Sequence, residues 1–192
     1  MEKMRVSIRV EDIELAGELS LPDADRGVVL CHPHPLYRGD MNNNVIISVF
    51  NALEEADIAS LRFNFRSVGG ILGGEREDLD AAINFMMDRV KNIGLFGYSF
   101  GASVAISFLE DDRVKAISLS SPLPEYLEPA KTKKPLLIVC GGRDFIADPV
   151  KVEERAEKLG ARVEVIKRAD HFWWGFEDEL ARKVVDFFRE NL

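Results

Sequence analysis

The sequence is poor in the features that mark several classes of protein. Only two of its 192 residues are cysteines, Cys31 and Cys140, and they do not have the mutual spacing of a zinc site. Each lies near the end of an apolar run, so we expect buried free thiols rather than a disulfide. No apolar segment approaches the roughly 20 residues that span a bilayer. The first residues also lack the apolar core of a signal peptide. We therefore expect a cytoplasmic protein that does not bind membranes.

Positive charge is also in deficit. Lysine and arginine number 25 against 33 aspartates and glutamates, a net charge of −8. Such a surface repels phosphate backbones, so we expect no nucleic-acid partner. The chain contains no repeat, low-complexity tract or linker, and its length suits one core. Residues 1–192 are predicted to form a single domain.

Apolar runs of strand length alternate with segments of helical periodicity along the chain. The predicted strands are 4–10, 13–21, 27–31, 58–65, 92–96, 114–120, 136–140 and 162–166. The predicted helices are 45–56, 77–90, about 102–109, 149–159 and 177–188. This alternation is typical of an α/β fold with a mostly parallel sheet and helices on both faces. Functional residues of such sheets gather at the carboxyl ends of the strands.

The segment Gly97-Tyr98-Ser99-Phe100-Gly101 separates a predicted strand from a predicted helix. Two glycines allow the backbone to fold sharply enough to expose the hydroxyl of the serine between them. The motif by itself is only moderately specific, but its place between a strand and a helix strengthens the interpretation. We predict that Ser99 is a nucleophile.

A serine nucleophile needs a base to accept its proton, and the chain has only three histidines. His171 follows the last predicted strand, and we predict that it is the base. Asp144, directly after a strand, is predicted to accept the other N–H of the imidazole ring. Asp148 precedes a proline and fits a helix N-cap better, and Asp170 would have to bend back to reach the ring.

The developing oxyanion of an acyl-transfer reaction needs fixed hydrogen-bond donors. The backbone N–H of Phe100, at the start of the helix, is the first candidate. The second should come from the loop after the third strand, where Pro33 and Pro35 have no N–H. His34 and Leu36 are the nearest remaining donors, and we favour His34.

The order Ser99, Asp144, His171 resembles the α/β-hydrolase superfamily over nearly the whole chain. The segments 31–37 (Cys-His-Pro-His-Pro-Leu-Tyr) and 62–66 (Arg-Phe-Asn-Phe-Arg) are similar to a group of short prokaryotic hydrolases often labelled dienelactone-hydrolase-like. The resemblance implies an eight-stranded sheet whose second strand is antiparallel. Dienelactone hydrolases themselves use a cysteine nucleophile, so their substrate is not carried over to a chain with serine.

Many members of the superfamily insert a cap before the strand that bears the acid, but here that interval is the short connection 122–134. We therefore predict no cap domain and an open site, bordered by the loop 69–74 and by Leu36, Tyr37, Leu123, Trp173 and Trp174. The two tryptophans either line a substrate pocket or divide between core and surface. Arg66 either holds its loop by ion pairing or meets a substrate carboxylate.

Together these residues predict a serine hydrolase that cleaves carboxylic esters, or small amides or peptides, through an acyl-enzyme. We expect a small-molecule substrate, no cofactor and no metal. One alternative is a metal hydrolase that uses His32 and His34, with His171 and Asp144 completing the site. The other is a non-catalytic binding protein that has kept the fold.

Overall fold

A computed structural model describes residues 3–22, 25–37, 39–70, 73–128, 130 and 133–192. The strands are β1 (Lys3–Val10), β2 (Ile13–Ser20), β3 (Arg26–Cys31), β4 (Ala59–Phe63), β5 (Asn92–Tyr98), β6 (Val114–Ser120), β7 (Leu136–Gly141) and β8 (Arg162–Ile166). The helices are α1 (Asn44–Glu55), α2 (Glu75–Met87), α3 (Phe100–Ile106), α4 (Pro149–Leu159) and α5 (Glu177–Asn191). The chain thus alternates strand and helix as predicted.

The eight strands form one sheet in the order β1-β2-β4-β3-β5-β6-β7-β8. Strand β2 pairs antiparallel with both of its neighbours, and every pair from β4 to β8 is parallel. Helices α2, α3 and α4 bury their apolar sides on one face of the sheet, and α1 and α5 bury theirs on the other. The predicted α/β-hydrolase fold, with its antiparallel second strand, is confirmed.

Local sequence signals explain where several elements begin and end. The side chain of Asn43 accepts a hydrogen bond from the N–H of Val45 and caps α1. Asp148 caps α4 in the same way, directly before a proline at the first helical position. The observed bounds of β6, α4 and β8 are those predicted.

Strand β4 ends at Phe63 and is shorter than the predicted 58–65. The N–H of Asn64 still donates to the carbonyl of Ala16 in β2, but the N–H of Phe65 donates to the ring of His32. The chain has therefore left the sheet at Phe65. Helix α2 lies at 75–87 rather than 77–90, since the N–H groups of Arg89 and Val90 close a turn on the carbonyl of Met86.

The connection between β6 and β7 carries no helical lid in its described part, which contains a single 3-10 turn, Pro124–Tyr126. Residues 129 and 131–132 of this connection, and 71–72 of the predicted glycine loop, lie outside the described residues. No helix in the described ranges has both the length and the apolar character to cross a membrane. Both cysteines are buried and free, as predicted.

Candidate active site

The turn from β5 into α3 places Ser99 in the left-handed region of backbone space, with φ 53° and ψ −114°. A non-glycine residue in this region is strained, and such strain is found mainly at functional sites. A Cβ at Gly97 would lie 2.5 Å from the carbonyl oxygen of Gly101, and one at Gly101 would lie 2.1 Å from that of Cys31. Both glycines are therefore required for the tight packing of the turn against α3 and the end of β3.

Three side chains that are far apart in sequence meet at this turn. Ser99 Oγ lies 3.0 Å from His171 Nε2, and His171 Nδ1 lies 2.9 Å from Asp144 Oδ2. Because a carboxylate faces Nδ1, that nitrogen carries the proton, and Nε2 is left to accept from the serine hydroxyl. His171 and Asp144 are buried, whereas Ser99 is partly exposed. The arrangement can move a proton from Ser99 to His171.

The carboxylate of Asp144 is held by further donors. Its Oδ1 accepts the backbone N–H groups of Ile146 at 2.9 Å and Ala147 at 2.8 Å, and Ser121 also forms a side-chain hydrogen bond with the carboxylate. Burial alone would raise the pKa of Asp144, but the hydrogen bond with His171 and those from the other donors hold the pKa below its usual value. Asp144 is therefore ionised and fixed in orientation.

The two other aspartates considered from the sequence have different partners. Asp148 Oδ1 accepts from the N–H of Val150 at 3.1 Å, as a helix cap. Asp170 Oδ1 accepts from the N–H groups of Phe172 and Trp173 at 2.9 and 3.2 Å. The structure thus brings Asp144 to the imidazole ring, and neither of these two.

His32, the first histidine after β3, is buried and has both ring nitrogens occupied. Nε2 accepts the N–H of Phe65 at 3.0 Å, and Nδ1 lies 2.7 Å from the carbonyl oxygen of Pro33. Burial lowers the pKa of His32 to about 4, so the ring is neutral. Because neither nitrogen has a free lone pair, His32 cannot act as a ligand in the proposed metal site.

The loop after β3 also places the candidate oxyanion donors. The N–H of Leu36 is occupied, because it donates to Nδ1 of His34 at 3.1 Å. The ring of His34 packs edge-on against that of Phe100, with centroids 4.8 Å apart, so this loop lies directly beside the start of α3. The first N–H groups of a helix have no acceptor within it, which leaves that of Phe100 available. Of the two loop candidates, Leu36 is therefore the less available.

The residues predicted to border the site separate into three groups. Leu36, Tyr37 and Trp174 are exposed, and Leu123 is partly buried against the core. Trp173 is 0% exposed, so the prediction that it contacts substrate is wrong. Its backbone has φ 65°, and Nε1 of its buried indole donates to Ser121 Oγ at 3.1 Å. The tryptophan pair thus divides between core and surface.

Arg66 belongs to the loop and not to the open site. Its Nε donates to Asp78 Oδ1 at 2.7 Å, and its backbone N–H donates to Oδ2 at 2.8 Å. Asp78 is fully buried, and a Cβ at Gly74 would collide with the guanidinium group. Of the two roles considered for Arg66, the structure shows ion pairing within the loop.

Sequence reasoning missed three aromatic residues next to the site. Phe145 and Phe172 are exposed on loops that follow β7 and β8. Tyr98 is buried, and its hydroxyl donates to the backbone carbonyl of His171 at 2.7 Å. Each is the immediate neighbour in sequence of Ser99, Asp144 or His171. Their position next to the three predicted catalytic residues was the sequence signal that could have identified them.

The sequence model of the dienelactone hydrolase family matches residues 26–172. The chain belongs to this family. A solved α/β serine hydrolase homologue from Coxiella burnetii is 28% identical, covers 95% of this chain and 96% of its own, and superposes with a TM-score of 0.83. A serine hydrolase without lid from Xanthomonas campestris is 25% identical over 98% of this chain and 94% of its own, with a TM-score of 0.86.

A Pyrococcus furiosus esterase shares the fold at 22% identity, with a TM-score of 0.85 and coverage of 99% of this chain and 93% of its own. Family membership, together with the Coxiella burnetii and Xanthomonas campestris neighbours, identifies the protein as a hydrolase. Within this member of the dienelactone hydrolase family, serine occupies the turn after β5, and both cysteines are buried elsewhere. Burial raises the pKa of the Cys31 and Cys140 thiols, so neither can supply a thiolate nucleophile.

Proposed function

We propose that this protein is a serine hydrolase that cleaves carboxylic esters of small molecules in the cytoplasm through an acyl-enzyme. The observation that supports the proposal most is the continuous hydrogen-bonded chain from Ser99 through His171 to Asp144. A binding protein has no physical requirement for three such residues in one hydrogen-bonded chain: a strained serine, a histidine held in one tautomer and an ionised buried aspartate. Each of these features serves proton transfer.

In the first half of the reaction, His171 Nε2 takes the proton of Ser99 while Oγ attacks the carbonyl carbon. The negative charge on the carbonyl oxygen is stabilised by the N–H groups of Phe100 and His34, which act through the backbone. Collapse of the intermediate breaks the bond to the alcohol oxygen, and His171 returns the proton to that oxygen. The acyl group remains on Ser99 Oγ.

In the second half, water replaces the alcohol. His171 takes a proton from the water as its oxygen attacks the acyl carbon, and the acid leaves when Ser99 Oγ recovers the proton. Asp144 stays ionised throughout and stabilises the imidazolium. Small amides are further candidate substrates, although their amine leaving groups depend even more on protonation by His171.

The test combines a fluorophosphonate probe with the hydrolysis of p-nitrophenyl acetate. We expect the wild type to be labelled and active, and Ser99→Ala to lose labelling and at least about 10⁴-fold in kcat. Absence of labelling and of ester hydrolysis in the folded wild type would favour the binding-protein alternative.

A further inference from the structure

Two phenylalanine side chains are exposed beside the histidine of the site. Phe145 is 76% exposed and Phe172 is 44% exposed, and their ring centroids are 6.4 Å apart. The ring of Phe172 also meets that of His171 edge-on, with a centroid distance of 5.7 Å. Apolar surface left in water forgoes the free energy that burial would release. Clustered exposed aromatic surface of this kind marks a binding site more often than a single exposed side chain does.

The backbone on which these rings are mounted is held by hydrogen bonds. The N–H of Phe172 donates to Asp170 Oδ1 at 2.9 Å, and its carbonyl accepts from Asn44 Nδ2 at 3.1 Å. Phe145 follows Asp144 directly in sequence. The next two residues, Ile146 and Ala147, donate their N–H groups to the carboxylate of Asp144 and so fix the turn that carries Phe145. Both rings are therefore presented to solvent by fixed turns, so little conformational freedom is lost when a ligand packs on them.

The two rings lie on the side of the site where we expect the alcohol portion of a bound ester. The carbonyl oxygen of a bound ester must point to the N–H groups of Phe100 and His34. The alcohol oxygen must instead lie within hydrogen-bond reach of His171 Nε2, because this nitrogen protonates it. The group attached to that oxygen therefore extends from His171, and Phe172 is in direct ring contact with His171.

We propose that Phe145 and Phe172 form a wall that binds the alcohol portion of the substrate, and that the preferred alcohol is aromatic. The proposal rests on the proposed function, since it assigns the leaving-group side of the same site. An aromatic ring stacked offset or edge-on against such a pair gains about 0.5–1.5 kcal/mol beyond its buried area.

The step served by the wall is the departure of the alcohol. The bond between the acyl carbon and the aryl oxygen breaks, and its electron pair stays on the oxygen. That oxygen takes the proton held by His171 Nε2, so a neutral phenol-type alcohol leaves and the acyl group stays on Ser99. No oxidant, reductant or other co-reactant is needed.

The experiment compares kcat/KM for phenyl acetate and 2-naphthyl acetate, whose leaving alcohols are similar in acidity and differ in aromatic surface. We expect the wild type to prefer the naphthyl ester, and Phe145→Ala and Phe172→Ala each to reduce that preference about 2- to 10-fold. Phe172→Leu, which keeps apolar bulk without a ring, should give an intermediate loss. Met87→Ala removes an exposed apolar side chain at the end of α2 and should leave the ratio unchanged.

The ratio of kcat/KM for phenyl butyrate to kcat/KM for phenyl acetate reports on the acyl side of the ester alone. It should be the same in the wild type and in the phenylalanine variants, because the acyl group lies away from the wall. An unchanged naphthyl preference in active variants would overturn the proposal, and so would a change confined to the acyl ratio. If no ester were hydrolysed in a Ser99-dependent way, the proposed function itself would fall.

Discussion

The indole Nε1 of Trp173 donates a hydrogen bond to Ser121 Oγ at 3.1 Å, and Ser121 is in turn hydrogen-bonded to the carboxylate of Asp144. Because the indole N–H occupies a lone pair of the hydroxyl oxygen, the hydroxyl proton is directed to the carboxylate. Ser121 and Trp173 both have positive φ, 44° and 65°. With Ser99 they make three of the five non-glycine residues of positive φ in the described chain, and all three lie at the site. The strain is concentrated where orientation matters.

We expect Ser121→Ala and Trp173→Phe to lower kcat for p-nitrophenyl acetate about 5- to 10-fold with little change in KM. Each removes one hydrogen bond, worth about 1 kcal/mol, from the chain that orients Asp144, and neither residue touches substrate. Ser118→Ala is the matched control, since this buried serine lies on β6, the strand that directly precedes Ser121, and its hydroxyl has no partner among the described residues. An equal loss in the control, or a loss confined to KM, would contradict the assignment.

The close approach of α3 to β3 makes Gly101 irreplaceable. We expect Gly101→Ala to lower the free energy of unfolding by about 3 kcal/mol, because the new methyl group would overlap the backbone of Cys31. Urea denaturation measures the change. Gly69→Ala has no heavy atom within 4 Å of the new Cβ and should stay within about 1 kcal/mol of wild type. Similar costs for both substitutions would show that steric overlap is not the cause.

Asp78 is fully buried in its ion pair with the partly buried Arg66, so removing the guanidinium group leaves an uncompensated carboxylate. We expect Arg66→Met to cost about 3–5 kcal/mol in urea denaturation. Lys91→Met, which removes one partner of an exposed pair with Asp25, should cost at most about 1 kcal/mol. A small effect at Arg66, comparable to that at Lys91, would contradict this prediction, because it would mean that water replaces the guanidinium group beside Asp78 in the variant.

Because His32 is buried, we expect the stability of the fold to depend on pH. Burial lowers its pKa to about 4, so between that pH and its usual value near 6.5 the unfolded chain binds a proton that the folded chain does not. The free energy of unfolding should therefore rise with pH across this window. The contribution, on the order of 3 kcal/mol, is lost as the pH falls from 6.5 to 4.

The measurement is urea denaturation at several pH values. His32→Gln should be less stable near pH 7 and should show a smaller slope between pH 4 and 6.5, by up to one proton. Parallel pH profiles for wild type and variant would exclude His32 as the origin of the dependence.

The sequence predicts the sheet, the strand order along the chain and the neighbourhood of Ser99, Asp144 and His171. Those predictions use local information, since apolar runs define the strands and polar residues follow their ends. The end of β4 was misplaced because the N–H of Phe65 is satisfied by the ring of His32, 33 residues away. No local pattern contains that contact.

The tryptophan pair shows a second limit of local reasoning. Trp173 and Trp174 have identical side chains, yet Trp173, with a positive φ, is buried and Trp174 is exposed. Phe145 and Phe172 were missed for a related reason. Their exposure is set by turns anchored on the side chains of Asp144 and Asp170, and exposure has no periodicity to detect.

The described part of the connection between β6 and β7 carries no helix that could cover Ser99. Enzymes that transfer acyl groups to other alcohols exclude water from the intermediate by closing their sites. In the proposed acyl-enzyme, bulk solvent would reach the ester bond on Ser99 as soon as the alcohol departs. We therefore expect water, the most concentrated acceptor, to outcompete other alcohols and amines, so that hydrolysis is favoured over synthesis.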